Sequence, residues 1–169
     1  MTVQLSVEVD GLAATLKALK DTDPELRKQV VKQMKTAAKP AQSNVRALLP
    51  GAAPLSNWGS WPRGKGYDPA AARKGVKIKH KAGARQTAKT FQLVTLQTTE
   101  AAAMIFDIAG RRSAGRTAQG QAFIRNLKRK YGAASRTLYP GTEAAMPEIE
   151  RGLDKAVDMA GRAVTRKIR

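Results

Sequence analysis

Phe91–Ala109 reads FQLVTLQTTEAAAMIFDIA, and the folding of its two apolar runs decides the architecture. Phe91–Thr98 is short, rich in β-branched and apolar residues, and reads as a strand. Ala102–Ala109 is apolar almost throughout, as expected of a strand at the centre of a sheet, with Thr99-Glu100 as the tight connection. Two further strands follow from alternation. Near the start, Val3, Leu5, Val7 and Val9 alternate with Gln4, Ser6 and Glu8. In the middle, Val76 and Ile78 alternate with Lys77 and Lys79, giving a strand over Gly75–Lys81 with a basic outer face. The expected sheet has about four strands, mixed or antiparallel.

The helices read from a different period. Leu12, Leu16 and Leu19 recur at helical spacing. Asp23-Pro24-Glu25 then supplies an N-cap, a proline at the first helical position and an acid in the first turn. Leu26, Val30, Met34, Ala37, Ala41, Val45 and Leu48 continue one apolar stripe, which Pro40 should bend or break between Thr36 and Lys39. Phe123, Leu127 and Tyr131 mark a short helix over Gln121–Tyr131. Thr137-Leu138-Tyr139-Pro140 reads as a brief extended piece, after which Thr142 caps a closing helix striped by Met146, Ile149, Leu153, Ala156, Ala160, Val164 and Ile168. The predicted fold is α+β, one domain over residues 1–169, with the sheet packed by two long helices. Leu5, Leu26, Val30, Met34, Phe123, Leu138, Tyr139 and Leu153 are its expected core and structural positions, with Pro40 at the bend.

The chain has 169 residues, no cysteine and one histidine, His80. That excludes a disulfide scaffold, a thiolate nucleophile and a Cys-ligated zinc, and it argues against a Ser-His-Asp device. Asp68, Glu100 and Asp107 are the acids between residues 26 and 142, too scattered in sequence to suggest an acid–base pair. Gly110-Arg-Arg-Ser-Ala-Gly115 lacks the Gly-Lys-Ser/Thr ending of a phosphate loop. A non-enzymatic protein without cofactor or metal is the expectation. The start, MTVQLSVEVDG, resembles no signal peptide, and no apolar run matches a membrane span, so a soluble protein made in a cytoplasm is expected.

Net charge is +18, and it is unevenly placed. Arg63–Lys89 holds nine cations against Asp68, and Ile108–Thr142 holds eight cations and no acid. Such blocks attract nucleic acid or acidic protein surfaces. Two loops are expected, 51–74 and 110–120, both rich in glycine and basic residues and both ordered on assembly. Trp58, Trp61 and Tyr67 in the first either fold back over the core or dock on a neighbouring subunit. With Arg63, Lys77, Lys79 and Lys81, and with Arg111, Arg112 and Arg116 of the second loop, they make up the candidate partner surface.

Several short motifs resemble the tail-completion, or neck, protein family of long-tailed bacteriophages. They are Ala37-Ala-Lys-Pro40, Ala47-Leu-Leu-Pro50, Arg73-Lys-Gly-Val76, Ile108-Ala-Gly110 and Arg136-Thr-Leu-Tyr-Pro140, in family order. After the long helix the chain departs from the family's Thr-Gly-Arg-Leu-Arg-like turn and carries Ser56-Asn-Trp-Gly-Ser-Trp-Pro-Arg63 instead. The resemblance implies a structural virion protein of the head–tail junction, assembled in a bacterial cytoplasm. It implies a homo-oligomeric ring, hexameric by expectation, that completes the tail tube and joins it to the head. The implied partners are terminator, connector and tube proteins, with non-specific contact to packaged DNA. The alternatives are a basic nucleic-acid-binding protein, a tail terminator or a minor capsid protein.

Overall fold

The computed structural model describes residues 2–6, 23–56, 58, 66–79, 92–112 and 115–168. Three short strands, β1 (Thr2–Ser6), β2 (Val76–Lys79) and β3 (Gln92–Thr98), form one antiparallel sheet in the order β1-β3-β2. Leu96 is its centre, opposite Val3 on one side and Ile78 on the other. On β3, Thr95, Leu96 and Thr98 are all buried, so both faces of the middle strand are covered.

Helices dominate the rest: α1 (Pro24–Ala37), α2 (Lys39–Leu48), α3 (Pro69–Lys74), α4 (Ala101–Ile108), α5 (Ala118–Tyr131), α6 (Leu138–Glu143) and α7 (Met146–Ile168). Asp23 Oδ1 accepts from Leu26 N at 3.0 Å and starts α1, with Pro24 in the first turn. The rod breaks at Ala38 because Pro40 has no N–H to offer the preceding turn, and α2 resumes with that proline near its start. α7 packs along α1, and α6 packs on α2. Both contacts rely on a missing side chain. A Cβ on Gly152 would lie 2.5 Å from Ala37 Cβ, and one on Gly141 would lie 2.6 Å from Val45 Cγ2 and 2.8 Å from Val45 N. Val30, Met34, Ala41, Val45, Leu138, Ile149, Leu153, Ala156 and Ala160 form the core between these helices.

The predicted architecture is therefore corrected: the protein is mostly helical with a small antiparallel sheet, not a four-stranded sheet packed by two long helices. The expected central strand over Ala102–Ala109 is helix α4. Glu100 caps it, with Oε2 accepting from Ala103 N at 2.8 Å, and its alanine-rich first turn favours helix. The expected extended piece at Thr137–Pro140 opens α6, and Thr142 sits within that helix rather than capping the closing one. The expected loop 51–74 contains α3, and the expected loop 110–120 gives way to α5 at Ala118. Val7, Val9, Leu12, Leu16, Leu19 and His80 lie outside the described residues, as do the last residues of the expected strand Gly75–Lys81.

Candidate functional site

Five aromatic side chains gather around the inner face of α5. Phe123 lies 4.9 Å from Trp58 between ring centroids, Trp58 lies 6.0 Å from Tyr67, and Phe106 of α4 meets Tyr131 edge-on at 5.1 Å. Trp58 is 3% exposed and Tyr67 is 7% exposed. Of the two readings for these residues, the structure gives the first: both fold back into the core and neither presents a docking ring. Tyr67 also donates to Pro50 O at 3.0 Å, and burial pushes its phenol up to about 12, with Arg73 opposing and Glu100 adding to the rise. Lys130 Nζ and Tyr131 Oη both donate to Pro54 O, at 3.2 and 3.4 Å, which ties the 54–58 turn to α5. A cleft of about 680 Å³ remains between that turn and the start of α5, lined by Leu55, Ser56, Trp58, Thr117, Phe123 and Asn126 among others.

The second loop is drawn onto the same helix. Gly110 and Gly115 both adopt positive φ, +90° and +99°. A Cβ on Gly110 would lie 2.8 Å from Ile124 Cγ2, and one on Gly115 would lie 2.8 Å from the Gly120 carbonyl carbon. Arg111, Arg112 and Arg116 are exposed on this turn, and Arg125, Lys128 and Arg129 are exposed on α5 beside it. None of these six cations meets a carboxylate among the described residues. α5 itself is capped by Thr117 Oγ1, which accepts from Gly120 N at 3.1 Å, and it has no acid in its first turn.

The three acids of residues 26–142 are spent as helix caps. Asp68 Oδ1 accepts from Ala70 N and Ala71 N at the start of α3, and Glu100 caps α4. Asp107, 1% exposed within α4, reaches across to α6: its Oδ1 accepts from Thr137 N at 2.6 Å, Thr137 Oγ1 at 2.7 Å and Leu138 N at 3.2 Å. Thr137 makes no cap of its own, so a carboxylate thirty residues away does the work. Beside it, Arg136 donates to Phe106 O at 2.6 Å, to Ala109 O at 3.2 Å and to Gly132 O at 3.2 Å. Burial lowers the Arg136 pKa from its ordinary value, and the Asp107 charge works against that shift. This joint escapes a reading of the sequence because its partners are far apart in the chain. The one local signal is an aspartate inside an apolar run, which demands a donor set when buried.

The remaining predicted positions divide cleanly. Lys77 and Lys79 are exposed on the outer strand β2, while Val76 is buried and Ile78 is partly so. Trp61, Arg63 and Lys81 lie outside the described residues. Val30, Met34, Leu138 and Leu153 are buried, Leu26 and Phe123 are partly buried against the core, and Pro40 is half-buried. Tyr139 was expected inside and is instead 61% exposed, because α6 turns its second residue outward while Leu138 faces the core. Side chains at Leu5 lie outside what the structure describes. Arg46 and Arg73 clasp each other's backbone: Arg46 Nε donates to Arg73 O at 3.0 Å and Arg73 Nε to Arg46 O at 3.4 Å. Among the described residues, no group of three or more histidines and acids is placed to hold a metal, and no helix is long and apolar enough to cross a membrane. No family model, curated protein or solved structure matches the chain.

Proposed function

We propose that this chain is a structural protein of the head–tail junction of a long-tailed bacteriophage, a tail-completion component without enzymatic activity. It would form or decorate a ring that closes the tail tube and joins it to the head. One observation carries the reading: four of the five short motifs behind the family resemblance meet in space as two pairs. Leu49, in Ala-Leu-Leu-Pro, accepts from Arg73, in Arg-Lys-Gly-Val, at 3.5 Å. Val76 O, at the end of that second motif, accepts from Gln42 at 2.7 Å and Arg46 at 3.1 Å on the helix that the first motif closes. Ala109, in Ile-Ala-Gly, accepts from Arg136, in Arg-Thr-Leu-Tyr-Pro, at 3.2 Å. Residues that hold the joints of one fold vary less freely than surface residues, so motifs meeting at joints support treating their order as one pattern.

Contacts between copies have two sources of support. β1 and β2 are the outer strands of the sheet among the described residues, and an outer strand carries unpaired backbone groups ready for a neighbour. Leu48, Ile108 and Tyr139 are large apolar side chains left exposed. Head-to-tail pairing through such unlike surfaces closes into a ring when the rotation allows it. The test is genetic and biochemical. Phage lacking the gene should accumulate filled heads and separate tails, and adding the purified protein should restore joined particles. Normal particles without the gene, or mature particles without the protein, would end this reading.

A further inference from the structure

We infer that the surface formed by α5 with Gly110–Arg112 and Gly115–Arg116 docks on the phosphate backbone of double-stranded DNA. The head–tail reading implies non-specific DNA contact without saying where; this inference assigns that contact to one face, and binding by the isolated chain tests it separately from ring formation or tail joining.

The residues 108–142 contain eight cations and no acid. Two of the eight bond to backbone carbonyls, Lys130, itself exposed, to Pro54 O and the buried Arg136 to the carbonyls of α4. The other six, Arg111, Arg112, Arg116, Arg125, Lys128 and Arg129, are exposed. They come from a turn and a helix that the sequence presents separately, and the close approach of Gly110 to Ile124 and of Gly115 to Gly120 makes them one surface. The nearest acids in sequence do not balance them: Asp107 is buried in its cap, and Glu143 lies at the end of α6. Arg116, just ahead of α5, opposes the helix dipole, whereas Lys128 and Arg129 in the last turn are favoured by it, so the uncompensated cost in the free chain is mainly mutual repulsion. Bound phosphates relieve that repulsion along the helix, and one beside Arg116 also meets the positive end of α5.

The chemistry of the face favours DNA over an acidic protein. Protein interfaces depend on apolar and aromatic anchors at their centre. Of the exposed large hydrophobics among the described residues, Leu48 and Tyr139 lie on α2 and α6, and Ile108 borders the surface, its carbonyl accepting from Arg111 N at 3.0 Å, so no such side chain stands at the centre of the surface. The α5 face offers Gln121, Arg125, Asn126, Lys128 and Arg129, all exposed, a set of donors suited to phosphate oxygens. Arg125, Lys128 and Arg129 stand at i, i+3 and i+4 and therefore share a side of the helix. At fourteen residues α5 is about 21 Å long, enough to follow a run of regularly spaced phosphates. Lys77 and Lys79 are a weaker candidate, because lysines on an outer strand also serve to block edge-to-edge pairing.

Fluorescence anisotropy of the whole chain on a labelled random-sequence duplex, repeated across salt concentrations, tests this. Six phosphate contacts predict a slope of about −5 in log affinity against log salt. Arg125→Gln/Lys128→Gln/Arg129→Gln should flatten that slope by about three and weaken binding at least about tenfold at moderate salt. Arg111→Gln/Arg112→Gln/Arg116→Gln provides a second variant outside any helix and should flatten it similarly. Lys32→Gln/Lys35→Gln/Lys155→Gln removes the same charge from exposed positions on α1 and α7 and should leave the slope within about one of the parent. Equal losses in all three variants would overturn the assignment to this face. Preference for poly-glutamate or for single strands over the duplex would overturn the choice of partner.

Discussion

Arg136 and the six cations around α5 come from the same acid-free stretch, yet they have opposite fates. Arg136 is 8% exposed, surrounded by carbonyls and stacked 5.8 Å from the Phe106 ring centroid, and it helps lock α4 to the end of α5 and the start of α6. The six project outward without a carboxylate. The difference teaches that a run of basic residues has no single meaning: a guanidinium with enough carbonyl partners is a structural cross-link, and only the remainder makes a field. It also shows how the two regions depend on each other. Arg136 Nε holds Gly132 O, directly after α5, so the buried joint fixes the helix that carries the exposed charge.

Breaking the buried side should have the largest effect. Asp107→Leu strips the acceptor from three buried donors and leaves Arg136 without a compensating charge, at a cost of about 3–5 kcal/mol. Asp107→Asn keeps an acceptor oxygen in place and should cost about 1–2 kcal/mol. Urea unfolding followed by circular dichroism measures both; equal, small losses would show that the cap is dispensable. Gly141→Ala comes next. Its new Cβ would press on Val45 N at 2.8 Å and Val45 Cα at 3.0 Å, and because these are backbone atoms α6 must lift from α2. The expected loss is about 1–3 kcal/mol, read from the same unfolding curves.

The two regions were legible to different degrees. α1, the break before Pro40 and the buried stripe of α7 follow from local signals: an Asp-Pro-Glu start, apolar residues every three or four positions, a proline without N–H. β2 and β3 follow from alternation and β-branching. α4 does not, because seven apolar residues broken only by Asp107 have the same look in a buried helix and a central strand, and period cannot separate them. The Glu100 cap and the run of alanines held the missing information. α3 was hidden inside a glycine- and proline-rich stretch although Asp68-Pro69 is a proper helix start. α6 was unreadable for a deeper reason, since the acceptor that starts it belongs to Asp107. The cations of α5 are visible as residues, and what the sequence conceals is that the preceding turn packs on the same helix, Gly110 on Ile124 and Gly115 on Gly120.

Tyr67 gives a smaller effect that is visible only in alkali. Its phenol ionises near 10 when unfolded and near 12 when folded, so the folded chain holds the proton more tightly. That contribution is complete below pH 10, and it fades as pH climbs from 10 through 12. Tyr67→Phe should lose about 1 kcal/mol at neutral pH with the hydrogen bond to Pro50 O, and its gap from the parent should narrow above about pH 10. A gap that stays constant to pH 11.5 or so would place the tyrosine outside the linkage.

The smallest stability effect belongs to the exposed side. Arg125, Lys128 and Arg129 have no carboxylate partner among the described residues, so removing their charges sacrifices no ion pair. It relieves repulsion with Arg111, Arg112 and Arg116, although cations near the carboxyl end of a helix gain slightly from its dipole, and the two contributions oppose each other. Arg125→Gln/Lys128→Gln/Arg129→Gln should therefore shift unfolding by no more than about 0.5 kcal/mol in either direction. Raising the salt should narrow even that difference, because screening weakens repulsion and dipole alike. A loss above about 2 kcal/mol that resists salt would mean that these side chains hold the fold together as Arg136 does, and the contrast between the buried joint and the open face would dissolve.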